Sequence, residues 1–112
     1  MAISNFVFPV PLTSIDSVGV SGTYAAINAG GLPNACFQIK IVNNSTKDVT
    51  VSWDGTNDHD YIPTLSTATF PFQSNAQPNA AQAQVRKGTT IYVKGTAGTG
   101  LVYLMGYYQV NT

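Results

Sequence analysis

At 112 residues, the sequence has room for one domain and one core, burying roughly two-thirds of the unfolded surface. Only 9% of residues are charged, against about 25% in average proteins, and the five basic residues cancel the five acidic ones. That balance excludes the basic excess of a nucleic-acid binder, and no apolar run approaches the ~20 residues that span a bilayer.

All five acids are aspartate, and without glutamate the sequence lacks the usual surface-helix composition, which favours strands and loops. Residues 1–14 read as an extended N-terminal arm, separate from a domain over 15–112. Phe6, Phe8 and Val10 make it apolar, while Pro9 and Pro11 suit an edge. The arm either covers its own core or crosses to a neighbouring subunit. A short strand is predicted around Gly22 to Ala26, followed by a dense turn signal from Asn28 to Asn34. Phe37 to Val42 alternates apolar and polar residues, the period of a half-buried strand.

Asn43 to Asp48 reads as a polar turn closing a hairpin with the next strand, in which Val49, Val51 and Trp53 share a face. Asn43 and Asn44 open N-x-S/T triplets, better explained as turn residues than as glycan acceptors, since no secretory signal is visible at Met1 to Asn5. Asp54-Gly55 turns the chain, and Leu65 to Phe72 supplies another strand. Ser74 to Gln84, rich in Asn, Gln and Ala, reads as a surface loop. A final hairpin is expected from Ile91 to Lys94 and Leu101 to Tyr108, joined by Gly95 to Gly100. In its last strand Leu101, Tyr103, Met105 and Tyr107 face one way and Val102, Leu104 and Tyr108 the other. With both faces apolar, the strand is either central or a subunit contact. The predicted architecture is all-β: an antiparallel β-sandwich, jelly-roll-like, with seven or eight short strands.

Few residues point to chemistry. Asp54, Asp58, His59 and Asp60 could ligate a hard cation, but the spacing is not that of a calcium loop and there is no second histidine for zinc. Turn capping explains them better. Gly95 to Gly100 lacks the lysine and the following helix of a phosphate loop. A nucleophile would have only His59 as its base. No catalytic residue, cofactor or metal site is therefore expected. Cys36, alone, reads as a small buried hydrophobe in a chain made in a reducing cytoplasm. The aromatic residues Trp53, Tyr61, Tyr92, Tyr103, Tyr107 and Tyr108 fit core, interface or a glycan platform.

Two blocks carry a resemblance: I-x-I-V-N-N-S-T-K-D-V-T-V-S-W-D-G-T-N-D-H-D-Y-I-P from Ile39 to Pro63, and K-G-T-T-I-Y-V-K-G-T-A-G-T-G-L-V-Y-L from Lys87 to Leu104. Both resemble small virion proteins of tailed bacteriophages. The chain is similar to the jelly-roll decoration, or cement, proteins on the heads of epsilon15-like short-tailed phages. The resemblance implies a noncatalytic, homo-oligomeric virion protein on the head surface, assembled in the host bacterial cytoplasm, that binds the major capsid protein across subunit joints. Neither nucleic acid nor membrane is an expected partner. The residues expected at interfaces are Phe6, Phe8, Val10, Tyr103, Met105, Tyr107 and Tyr108. The alternative is a tail or fibre module that binds a host surface glycan.

Overall fold

The computed structural model describes residues 5–71 and 85–111, with the backbone alone for 5, 6 and 109–111. Ser74 to Gln84 lies outside the described residues. The strands are β1 (Asn5–Pro9), β2 (Thr13–Asp16), β3 (Ala25–Ala26), β4 (Gln38–Ser45), β5 (Val49–Ser52), β6 (Asp60–Ile62), β7 (Ser66–Pro71), β8 (Tyr92–Gly95) and β9 (Gly100–Asn111). One antiparallel sheet runs β1-β9-β4-β7, with β2 beside β9; the other runs β3-β8-β5-β6.

These strands fill eight positions of a jelly roll, because β1 and β2 are two pieces of one edge strand. Both lie along β9: Asn5 to Pro9 opposite Asn111 to Tyr107, and Thr13 to Asp16 opposite Leu104 to Leu101. The break falls at Val10-Pro11-Leu12, where proline cannot donate to the ladder. With the first position so divided, the sheets alternate as 1-8-3-6 and 2-7-4-5, the order produced when paired strands roll up together.

Two expected hairpins are instead crossovers. β4 and β5 belong to different sheets, as do β8 and β9, so the connections after Ser45 and after Gly95 bridge the sandwich at one end. They are tied together there: Thr46 N–H donates to the Thr99 carbonyl at 3.0 Å, and Thr99 N–H returns to the Thr46 hydroxyl at 3.0 Å. The true hairpin joins β5 to β6, through the Asp54-Gly55 turn.

The core lies between the sheets. Ile39 and Ile41 of β4 and Val102 and Leu104 of β9 face Val49 and Val51 of β5, Ile62 of β6 and Val93 of β8, all buried. Each such side chain contributes ~1.5–3 kcal/mol through burial. Val10 is in this core as well, its N–H bonded to the Gly106 carbonyl at 2.9 Å. A Cβ at Gly106 would sit 3.1 Å from both Cys36 Sγ and Val10 Cγ2, so the missing side chain makes room for them. The division expected at residue 14 thus falls inside β2, and Asn5 to Pro9 before it pair with β9.

β4 also runs further than its apolar residues suggest. Its inward side continues through Asn43 and Ser45, both buried. Asn43 Nδ2 donates to the carbonyls of Lys47, Ile62 and Pro63 at 2.9, 3.1 and 3.2 Å, while Oδ1 accepts from Ser45 N–H and Oγ. Asn43 is therefore a buried strand residue, not a turn residue. Its amide joins the first crossover to the segment leaving β6.

Candidate functional site

The extended surface of the larger sheet is built on β9, whose inward residues Val102, Leu104 and Gly106 are buried. The alternate residues Leu101, Tyr103, Met105 and Tyr107 face outward and are half-buried. They stand opposite Asn44, Val42, Lys40 and Gln38 of β4. On the other flank come Asp16 and Ser14 of β2 and Pro9 of β1. The outward stripe expected from the sequence is thus assembled, with a single cation, Lys40, across from Met105.

The N-terminal edge completes this surface. Val7 and Leu12 are each 60% exposed and Phe8 is 42% exposed. Phe8 stacks on Tyr108, with ring centroids 5.7 Å apart, and Tyr108 packs on the core from the inward side. Of the residues expected at interfaces, Tyr103, Met105 and Tyr107 lie on this surface, while Phe8, opposite Tyr108, is exposed on the other face of the edge. Val10 lies on neither: it continues the β1 register opposite the buried Gly106, so strand alternation points it into the core. The Phe6 side chain lies outside the described residues.

β9 outruns its neighbours. β4 begins at Gln38, opposite Tyr107, and Phe37 N–H donates to the Tyr107 carbonyl at 3.0 Å. From Tyr108 to Asn111, β1 is the one strand beside β9 among the described residues. A two-stranded ribbon therefore projects from the sandwich, consistent with overall extents of 53 × 24 × 23 Å. Such a ribbon is marginal on its own, and edges with no partner strand among the described residues present N–H and C=O groups to an incoming strand.

The acidic turn does not converge. Asp54 accepts from the backbone N–H of Asn57 and Thr56, from Asn57 Nδ2 and from the Ser52 hydroxyl. Those donors, Asn57 N–H foremost, hold its carboxyl far below the ordinary range. Asp58 takes the Tyr24 hydroxyl and the Lys94 ammonium, the latter at 2.9 Å, and its pKa is lowered by them in that order. Lys94 also lies 4.8 Å over the Tyr24 ring. Asp60 accepts from Trp53 Nε1 at 2.8 Å, and His59 Nδ1 accepts from Trp53 N–H at 3.0 Å. Among the described residues no group of three potential ligands forms a metal site. The carboxylates act as caps and cross-links.

A pH dependence follows. Asp48 is lowered too, first by the Tyr61 hydroxyl at 2.5 Å and then by Thr64 N–H. A carboxyl depressed in the folded state adds stability that is present above its unfolded value, about 3.9, and is lost as pH falls through the folded value. Stability should therefore decline below pH ~4, and Asp54→Asn should flatten that decline. Tyr61, Tyr24 and Lys94 are raised by the same carboxylates, so their share is lost as pH climbs through their folded values. Urea midpoints across the pH range check both limbs; a midpoint constant from pH 5 to pH 2 would contradict the acid limb.

The aromatic residues weighed as one glycan platform are dispersed. Tyr103 and Tyr107 lie on the outer face of the larger sheet and Tyr108 faces the core. Tyr61 stands on the smaller sheet bonded to Asp48, while Trp53 and Tyr92 line a separate cleft. Cys36 is buried, its thiol donating to the Asn34 carbonyl at 3.4 Å and pushed up in pKa by burial.

No protein-family model matches the chain, and no curated protein does. A solved chain from Bacillus endospore appendages, described as a family of disulfide-linked pili, is similar in structure at 19% identity and a TM-score of 0.52. The match covers 96% of this chain and 90% of that one, and at this identity the likeness establishes the fold: an all-β sandwich.

Proposed function

We propose that this chain is a noncatalytic structural subunit of a particle, specifically a bacteriophage head decoration protein that binds the major capsid protein across subunit joints. The observation that carries the reading is the projecting β1–β9 ribbon, its strand edges open among the described residues and its Val7 and Phe8 exposed. Beside it lies the nearly uncharged stripe of Tyr103, Met105 and Tyr107, suited to the charge-depleted centre of an interface. The phage resemblance of Ile39 to Pro63 and Lys87 to Leu104 supplies the kind of particle. The logic is multivalent: each copy makes a modest contact, and many copies together restrain the shell.

A filament like the disulfide-linked pili of the structural neighbour is a less suitable reading. The only cysteine in the sequence is Cys36, which at 0% exposure has no path to a thiol on another subunit without opening the core.

Quantitative mass spectrometry of purified virions tests the proposal. Copies comparable in number to the major capsid protein support decoration. A handful per particle would transfer the chain to the tail, and absence from the particle would remove it from the virion.

A further inference from the structure

At one end of the smaller sheet lies an open cleft of about 370 Å3, lined by Trp53, Asp54, Arg86 to Thr90 and Tyr92. Its two aromatic rings are held in place. Trp53 is anchored through Nε1 to Asp60 at 2.8 Å and packs edge-on against Phe70 at 5.4 Å. Tyr92 lies against Gly55, where φ is +79° and an added Cβ would come 3.0 Å from the ring. The opposite wall is equally fixed. The Thr89 carbonyl accepts from Asn28 Nδ2 at 3.1 Å and from Leu32 N–H at 3.0 Å, and Gly88 N–H donates to the Leu32 carbonyl at 2.9 Å.

Beside the rings, several polar groups are unspent. The hydroxyls of Thr89, Thr90 and Tyr92 have no hydrogen-bond partner among the described residues, and Arg86 and Lys87 have no ion-pair partner among them. A chain with no net charge thus concentrates two of its cations in one cleft, against a single carboxylate, Asp54. That carboxylate is kept ionised by its own turn, and Oδ2 carries one hydrogen bond, from Asn57 Nδ2 at 3.0 Å, so it has acceptor capacity to spare.

The chemistry that uses all three features together is an acidic sugar. Flat, rigid aromatic faces receive the C–H face of a pyranose ring. Free hydroxyls and a carboxylate exchange hydrogen bonds with its hydroxyls. An arginine beside a lysine captures its carboxylate by charge-assisted bonds. An apolar ligand would leave these polar groups stranded. We propose that the cleft is a binding site for a uronate-bearing saccharide. This goes beyond the assembly reading and does not depend on it: the isolated protein suffices for the test.

Trp53 is the single tryptophan, so its fluorescence reports on the cleft directly. Titration with digalacturonate should give a saturable change in Trp53 emission. The exposed double variant Arg86→Ala/Lys87→Ala, checked for native circular dichroism, should weaken binding ~10-fold or more. Thr90→Val should weaken it less, and neutral digalactose should bind more weakly than the uronate. The proposal is overturned by an absent response or by a response unchanged in the double variant. Inorganic phosphate producing the same response at the same concentrations would also overturn it, by showing an anion site with no role for the sugar.

Discussion

Removal of residues 1–8 is expected to leave a folded sandwich that no longer binds shells. The truncation stops short of Val10, which belongs to the core, and leaves β2 paired with β9. It removes most of β1, the Phe8–Tyr108 stack and the exposed Val7. The stack is worth ~0.5–1.5 kcal/mol beyond its buried area, so a modest fall in unfolding temperature is expected. The loss of shell affinity should be larger, at least ~10-fold, which corresponds to ~1.4 kcal/mol of contact per copy. Co-sedimentation with shells lacking the protein, read beside thermal unfolding, separates the two effects. Native binding by the truncated chain would remove the ribbon from the proposed interface.

Asn43→Ala should have the largest effect on stability of any single polar substitution considered. The change deprives the carbonyls of Ile62 and Pro63 of the Asn43 donor in a buried setting and removes the acceptor of Ser45 N–H. Each buried group left unpaired costs about 1–3 kcal/mol. The Lys47 carbonyl is buffered, because the Ser45 hydroxyl still donates to it at 3.0 Å. A net loss of ~3–5 kcal/mol is expected, a large part of the ~5–15 kcal/mol typical of a domain. Asn43→Asp, nearly identical in size but without the amide donors, should be at least as damaging, which assigns the effect to hydrogen bonding over volume. Urea denaturation measures both variants; a loss below ~1 kcal/mol for Asn43→Ala would mean that the carbonyls find other partners.

Asn43 also illustrates what could be read from the sequence. Where apolar and polar residues alternate, as in Phe37 to Val42 and Val49 to Ser52, the strands and their faces were legible. At Asn43 and Ser45 the same alternation continues into the core with polar side chains, and Asn-Asn-Ser carries every local mark of a turn. What makes these residues strand is a set of carbonyls up to 20 positions away in sequence, which no local pattern contains. The crossovers were hidden for a similar reason, since two strands joined by a short polar or glycine-rich link look alike whether they pair or part company. Val10 was hidden by its flanking prolines. The stripe of Tyr103, Met105 and Tyr107 was legible, whereas the cleft was not, because Trp53 and Arg86 to Thr90 meet only when the fourth and seventh strand positions are paired.

The pairing of β1 and β2 with β9 joins the beginning of the sequence to its end, and this bears on how the protein comes into being. Synthesis proceeds from the N-terminus at ~5–20 residues per second, so the first edge strand waits on the order of 5–20 s before its partner exists. During that interval Val7, Phe8 and Leu12 are available to any strand nearby, including those of other nascent copies. Closure of the sandwich therefore waits until β9 has been made, after every other strand. A ribbon that forms last delays the appearance of the proposed docking surface until the fold behind it is complete, so that under the assembly reading unfinished chains would have no finished means of joining a particle.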